Sequence, residues 1–139
     1  MADTGYNWDA AWTALAKSGG GDWTALDIAN AGNAGSAAIS QDVKAATEVG
    51  IDLYEDNTGA ISGAVTVYIL GDVDGTNYEE MTFCPFQFAV TPIQNDHYYF
   101  RFRLLGCDYS SFKVWLLNSS GQTLTTTVKY RQATIPVAS

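Results

Sequence analysis

The sequence predicts an all-β protein built as an antiparallel β-sandwich. Polar and apolar residues alternate in three consecutive runs near the end of the chain, HYYFRFRLL, SFKVWLL and TLTTTVKYR. Alternation with a period of two is typical of a strand with one buried and one solvated face. Short polar loops separate the runs, and no alternating strand and helix pattern indicates a parallel sheet. We therefore expect seven or eight antiparallel strands and little helix.

Residues 1–40 are predicted to form an irregular N-terminal arm, followed by the β-sandwich over residues 41–139, in a single domain overall. The arm is rich in Ala, Gly, Ser and Asn, so it offers few side chains large enough for a core. Its segment DAAWTALAKSGG fits a short helix capped by Asp9 and equally fits an edge strand that carries Trp12. We expect neighbouring molecules to order the arm, so that its deletion abolishes assembly without unfolding the sandwich.

The strands become clearer from Thr47 onward. TEVGIDLYED and AVTVYIL both alternate, and Pro85 in MTFCPFQFAV belongs at an edge or a bulge because proline donates no ladder hydrogen bond. The connection NSSGQ predicts a tight hairpin with Gly121 at positive φ. The side chains predicted to face inward in the first two of these strands are Val49, Ile51, Leu53, Val65, Val67 and Ile69.

We expect the last three runs to pair as one meander with an apolar and a basic face. The inward side chains are Phe100, Phe102, Leu104, Phe112, Val114, Leu116, Leu124, Val128 and Tyr130. The outward face carries Tyr99, Trp115 and five of the seven basic residues, Arg101, Arg103, Lys113, Lys129 and Arg131. Like charges on adjacent strands are mildly destabilising, which favours an interface with acidic groups such as those of Glu48, Asp52, Glu79 or Glu80 in a second copy. A plain solvated surface is the alternative.

Tryptophans add anchors to the predicted interface. Trp8 and Trp12 lie in the arm, and Trp115 lies in the middle run. Trp and Arg are enriched at the centres of protein interfaces. A lone outward Trp such as Trp115 is also frequently covered by a loop of its own chain, and an exposed aromatic platform on a sandwich would alternatively bind sugars.

Charge and length exclude some classes of function. The chain has 139 residues and a net charge of -8, which argues against sequence-independent binding to nucleic acid. Residues 1–96 hold 14 acids and 2 bases, whereas residues 97–139 hold 1 acid and 5 bases, so we expect an electrically two-sided molecule. No apolar run reaches the ~18 residues that a membrane span needs, and the start MADTGYNW lacks a signal-peptide pattern. We expect a protein made in the cytoplasm without a membrane partner.

The motif GDVDGTNYEE is the best candidate for a ligand site. Asp72, Asp74, Asn77 and Glu79 supply oxygen atoms of the kind that calcium prefers. An EF-hand loop that starts at Asp72 would nevertheless require Gly at the position of Asn77 and Glu at the position of Phe83. A tight turn around Asp74-Gly75 is the interpretation we favour, and no other metal or cofactor is predicted.

No catalytic arrangement emerges from the sequence. His97 is the only histidine, and its place at a strand start favours a hydrogen-bonded structural role. Cys84 and Cys107 have no metal-site spacing, so two free thiols are favoured over a disulfide or a nucleophile. The adjacent carboxylates Glu79 and Glu80 would point to opposite faces of a strand, unlike the pair of a glycosidase. We expect a protein that is not an enzyme.

Two segments resemble a known group of proteins. AVTVYILGDVDGTNYEE and SFKVWLLNSSGQTLTTTVKYR are similar to small bacteriophage virion structural proteins, which share a DxDGTNYE turn and a C-terminal NSSG hairpin. The resemblance covers roughly residues 62–131 and implies a jelly-roll-like capsid decoration (cement) protein located in the virion. It implies the major capsid protein or another virion protein as partner, homo-oligomerisation and no catalytic residues. A tail, neck or fibre-associated protein and a carbohydrate-binding module are the alternatives.

Overall fold

The chain forms β-strands and no helix in the part that its computed structural model describes, residues 7–8, 11–40, 45–56, 61–72, 76–81, 84, 86–91, 96–105 and 111–136. None of these residues therefore belongs to a helix long enough to cross a membrane. The strands are β1 (Asn7–Trp8), β2 (Thr13–Ala14), β3 (Leu26–Ile28), β4 (Asn33–Gly35), β5 (Ile39–Ser40), β6 (Ala45–Asp56), β7 (Val65–Gly71), β8 (Phe86–Val90), β9 (Asp96–Leu105), β10 (Ser111–Asn118) and β11 (Leu124–Pro136).

The strands form two antiparallel sheets packed as a sandwich, as the sequence predicts. One sheet has the order β1-β11-β6-β9, with β2 and β3 also paired to β11. The other has the order β4-β10-β7-β8, with β5 also paired to β10. The long strands pair in a nested order along the chain: β6 pairs with β11, and β7 and β10, which lie between them in sequence, pair with each other. β8 and β9 follow β7 in sequence, and β8 pairs with β7 whereas β9 pairs with β6. This is a jelly-roll-like arrangement.

The core lies between the two sheets and follows the predicted alternation. Every second side chain of the long strands is buried, which confirms the inward faces of β6, β7 and β10 and most of those of β9 and β11. The buried members from these strands are Val49, Ile51, Leu53, Val65, Val67, Ile69, Phe102, Phe112, Val114, Leu116, Leu124 and Val128, with Phe100 and Tyr130 partly buried beside them. The side chain of Leu104 lies outside the described residues.

The predicted meander of the last three runs is wrong. β9 and β11 both pair with β6 in one sheet, whereas β10 lies in the other sheet between β4 and β7. The alternation of residues identifies which face of a strand is buried, but it does not identify the neighbouring strand. The five basic residues are consequently divided between the two outer faces of the sandwich.

The N-terminal segment is packed into the core, so the expectation that it buries little apolar surface is wrong. Trp23 and Leu15 are 0% and 1% exposed, and Ile28 and Ile39 are also buried. Its strands β1 to β5 extend both sheets from β10 and β11. For DAAWTALAKSGG the edge-strand alternative is confirmed, since β2 pairs with β11; Asp9 lies outside the described residues.

The NSSGQ connection has Gly121 at positive φ, as predicted, but the predicted hairpin is wrong, because β10 and β11 lie in different sheets and do not pair. Gly121 has a φ of 90°, a conformation that glycine adopts without a steric penalty. The side chains of Asn118 and Ser120 are fully buried and hydrogen-bonded to one another. The turn thus contributes a polar centre to the fold as well as a chain reversal.

Candidate interaction surface

The outer face of the β1-β11-β6-β9 sheet gathers aromatic and basic side chains, and we call it the basic–aromatic face. Two rows of residues define it. Gly50 of β6 lies between Arg101 of β9 and Arg131 of β11. Asp52 lies between Tyr99 and Lys129 in the next row. The face is defined by Trp12, Tyr99, Arg101, Lys129 and Arg131.

Acidic residues of the same chain stand beside several of these cations. In the strand register Asp52 is opposite Lys129, and Glu48 is opposite Arg103. Opposite charges on paired strands are favourable, so a partner molecule is not needed to explain Lys129. The expectation of opposed like charges is wrong for Lys129, which is opposite Asp52 on the neighbouring strand.

The row at Gly50 differs because it holds two arginines and no acid. Their Cα atoms are two strand spacings, about 10 Å, apart across a residue without a side chain. A shallow depression of ≈ 380 Å³ results, lined by Trp12, Gly50, Tyr99, Phe100, Arg101 and Arg131. Arg131 lies over the Trp12 ring, with its guanidinium carbon 4.8 Å from the ring centroid. This arrangement combines flat apolar surface with positive charge.

Four rings form a continuous series along the face. The centroid of Tyr99 is 5.9 Å from that of Trp12 and 6.0 Å from that of His97, whose ring is parallel to it within 7°. His97 also contacts Tyr54 at 4.7 Å. Tyr99 is nevertheless 64% exposed. Among the described residues it is the one large hydrophobic residue that is exposed to solvent. It is therefore an exposed ring supported by its neighbours.

His97 is a structural histidine, as predicted. Its Nδ1 lies 2.8 Å from Oδ1 of Asp52, which is only 7% exposed. This hydrogen bond fixes the imidazole beside Tyr99. Sequence reasoning missed both Asp52 as its partner and Gly50 as the floor of the depression. The one available signal was a glycine inside the strand TEVGIDLYED, because glycine in a strand frequently marks a close approach.

Lys113 and Trp115 belong to the opposite sheet, so their predicted place beside Arg101 is wrong. Lys113 Nζ lies 4.3 Å above the ring of Tyr78. Trp115 lies against Gly35 of β4, and its Nε1 donates a hydrogen bond of 3.0 Å to Oδ1 of Asn33. One face of Trp115 is therefore covered by its own chain, and the residue as a whole is half-buried.

Gly35→Ala is expected to destabilise the protein by about 1 to 3 kcal/mol, because overpacking forces neighbouring groups to move. A Cβ at Gly35 would lie 2.0 Å from Cε3 of Trp115, so the indole must leave its position. Denaturant unfolding would measure the loss. In a Trp115→Ala background the same change should cost much less, and an equal cost in both backgrounds would show that the ring is not the obstacle.

The two ends of the GDVDGTNYEE motif are joined by hydrogen bonds between Gly71 and Glu79. Oε1 of Glu79 accepts a 2.9 Å hydrogen bond from the backbone N–H of Gly71, and the backbone N–H of Glu79 donates to the carbonyl of Gly71 at 2.9 Å. Asp72 is buried, and its backbone forms an isolated antiparallel β-bridge with Tyr78. Asn77 is exposed. Asp74 lies outside the described residues, within which no three potential metal-binding side chains cluster. The tight turn predicted at Asp74-Gly75 lies outside the described residues, so the turn and calcium binding both stay predictions.

Cys84 is a free, buried thiol. Its Sγ donates to the carbonyl of Phe86 at 3.2 Å. Burial raises the pKa of the Cys84 thiol, so it stays protonated and is a poor nucleophile at neutral pH. Cys107 lies outside the described residues, as do the side chains of Trp8 and Arg103, whose backbones pair with Ala133 and Glu48.

Comparisons with known proteins add little to this description. No family model and no curated protein matches the sequence. Among solved structures, the chain is similar to the tobacco streak virus coat protein dimer, with 11% sequence identity and a TM-score of 0.42. That alignment covers 100% of this chain and 92% of the coat protein chain.

Proposed function

We propose that the protein is a structural component of a bacteriophage virion and that its basic–aromatic face docks onto another virion protein. The observation that carries the docking proposal is Tyr99, a ring 64% exposed yet supported by Trp12 and His97 on a six-stranded sheet. Aromatic side chains and arginines dominate the binding energy at interface centres. Because these rings are already held in place, less side-chain entropy is lost on docking.

Within this proposal, a capsid decoration (cement) protein bound to the major capsid protein is the specific form we favour. The motif resemblance supports it, and side chains of both motifs make structural hydrogen bonds, Glu79 with Gly71 and Asn118 with Ser120. A rigid sandwich without a catalytic role suits a shell-stabilising function. A tail, neck or fibre-associated position is the alternative within the virion.

Carbohydrate binding is the weaker alternative. A sugar platform needs a flat ring face open to solvent. One face of Trp115 lies against Gly35, and Tyr99 has Trp12 and His97 as ring neighbours. The exposed part of Tyr99 is better suited to insertion into a pocket of a partner protein.

The docking proposal is tested with particles assembled without this protein. We expect Tyr99→Ala to weaken occupancy of the particles by about 30-fold or more, which corresponds to the ≥ 2 kcal/mol typical of an interface anchor. Arg101→Glu should weaken it in a salt-sensitive manner, since Arg101 is exposed beside Tyr99. Cosedimentation over a salt series measures both effects, and thermal melts establish that the variants fold.

Lys113→Glu is the matched control because it makes the same charge change on the opposite sheet. It should leave occupancy near the wild-type value. Equal losses of occupancy for Arg101→Glu and Lys113→Glu would mean that docking depends on the net charge of the protein and not on the position of Arg101. Wild-type occupancy for Tyr99→Ala would exclude the basic–aromatic face as the docking site.

A further inference from the structure

The two margins of the sandwich are different. On one side, β1 to β5 of the N-terminal segment extend the sheets beyond β10 and β11. On the other side, the sheets end at β8 and β9, and no strand among the described residues pairs with their outer edges. β9 is ten residues long, and the backbone N–H and C=O groups along the edge of such a strand can pair with a further strand.

The β8–β9 margin is also apolar and incompletely covered. Phe88 contacts Phe100 with ring centroids 5.2 Å apart, and Phe86 contacts Phe102 at 5.7 Å. Phe102 is buried, but the other rings at this margin are only partly buried. The partly buried residues are Phe86, Phe88, Val90, Tyr98 and Phe100. A strand added to β9 would cover Tyr98 and Phe100.

We propose that the added strand is β9 of a second copy, paired antiparallel about a two-fold axis at Phe100. His97, Tyr99 and Arg101 share one face of β9, and Arg103 stands two positions later in the strand sequence, so aromatic residues precede cationic ones along β9. Pairing about Phe100 places Tyr99 of each copy opposite Arg101 of the other. It also places His97, which is hydrogen-bonded to Asp52, opposite Arg103. The strand is therefore complementary to itself.

Registers shifted toward the cationic half of β9 are less favourable. A two-fold axis at Arg101 would place the two Arg101 residues opposite each other, and an axis at Phe102 would oppose Arg101 to Arg103. Like charges opposite one another destabilise a strand pair, whereas aromatic and cationic partners attract. The axis at Phe100 avoids opposed cations and pairs residues 96 to 104. On the inner face it brings the two Phe100 rings together and sets Tyr98 opposite Phe102.

The dimer would join the two β1-β11-β6-β9 sheets into one continuous sheet, with two basic–aromatic faces on the same side. This extends the docking function proposed above to a two-site surface, in which both copies engage the particle and gain avidity. The dimer itself is a property of the purified protein. Its test therefore needs no particle, and its failure would leave the docking proposal standing.

Disulfide cross-linking tests the register. In a Cys107→Ser background, Phe100→Cys should link to itself under mild oxidation, because directly opposite Cβ atoms lie within disulfide range. Tyr99→Cys mixed with Arg101→Cys should give mainly the heterodimer, since each residue faces the other type. Lys129→Cys, on the same face but inside the sheet, should give only background linkage. Thermal melts of the reduced variants establish that they fold.

Sedimentation of the wild-type protein tests the association independently. We expect a concentration-dependent dimer that is reversed by dilution. A monomer at every concentration would overturn the proposal and leave the edge to a strand of another protein. A dimer that shows no preference for the Phe100 self-link or for the Tyr99–Arg101 heterodimer over the Lys129 control would overturn the β9 register.

Discussion

Trp23→Ala is expected to lower the free energy of unfolding by about 3 to 5 kcal/mol, a large part of the ~5–15 kcal/mol that stabilises a typical domain. Trp23 is 0% exposed, and its Nε1 donates a 2.8 Å hydrogen bond to Oγ1 of Thr126. Its backbone N–H donates to Leu15, and its carbonyl accepts from Val128. The substitution removes the largest fully buried side chain and leaves a cavity between the segment and the sheets.

Two further variants test whether the loss of stability is specific to the buried side chain of Trp23. Trp12→Ala removes a half-buried tryptophan of the same segment and should cost about 1 kcal/mol, mainly its contact with Arg131. Trp23→Phe keeps most of the ring volume and removes the hydrogen bond to Thr126, so its cost should be intermediate. Denaturant unfolding compares the three. Similar small costs for Trp23→Ala and Trp12→Ala would support the dispensable arm that the sequence suggested.

The long strands were predictable because their chemistry is local. In the central part of β6, β7 and β10 large apolar residues recur at every second position, and those residues form the core. A strand with one buried face must alternate in this way, whatever strand it pairs with. The sandwich class follows from several such strands in a chain without helical periodicity.

Strand partners were not predictable from the same signal. β10 follows β9 in sequence, yet β9 pairs with β6 and β10 with β7. Arg101 and Lys113 therefore lie on opposite sides of the molecule although their local patterns are alike. The choice between a hairpin and a crossing to the other sheet depends on the packing of the whole core, and a period-two pattern contains no information about it.

The N-terminal segment escaped prediction for a different reason. Its strands are two or three residues long, too short to show a period. Trp23 is a single large residue among Gly, Asp, Thr and Ala, so nothing in its surroundings marks it as buried. Only its fit against Thr126 and Val128 of β11 explains its position.

The basic–aromatic face was predicted in part. Tyr99 and Arg101 were expected to point outward, and the alternation of β9 places them there. The Gly50 depression and the His97–Asp52 hydrogen bond arise from the register between β6 and β9. That register is set by contacts far apart in the sequence, so neither feature was visible in either strand alone.

Asn118→Ala is expected to cost about 2 to 4 kcal/mol, because it leaves several buried polar groups without partners at about 1 to 3 kcal/mol each. The side chain is 0% exposed. Its Nδ2 donates to the carbonyls of Ile28 at 2.8 Å and Gln122 at 2.7 Å. Its Oδ1 accepts from the backbone N–H of Ser120 at 3.0 Å and from the Ser120 hydroxyl at 2.6 Å. One amide thus joins the NSSG turn to the N-terminal segment.

Asn33→Ala is the matched control for this prediction. Asn33 is exposed and makes one side-chain hydrogen bond, from Trp115, so its loss should cost about 0.5 to 1.5 kcal/mol or less. Asn118→Asp keeps both acceptor contacts to Ser120 but sets a carboxylate against the carbonyls of Ile28 and Gln122. It should be at least as damaging as Asn118→Ala at neutral pH, because a buried charge is then added to two lost donors. If Asn118→Ala and Asn33→Ala unfold at the same denaturant concentration, the buried hydrogen bonds of Asn118 are not what joins the NSSG turn to the N-terminal segment.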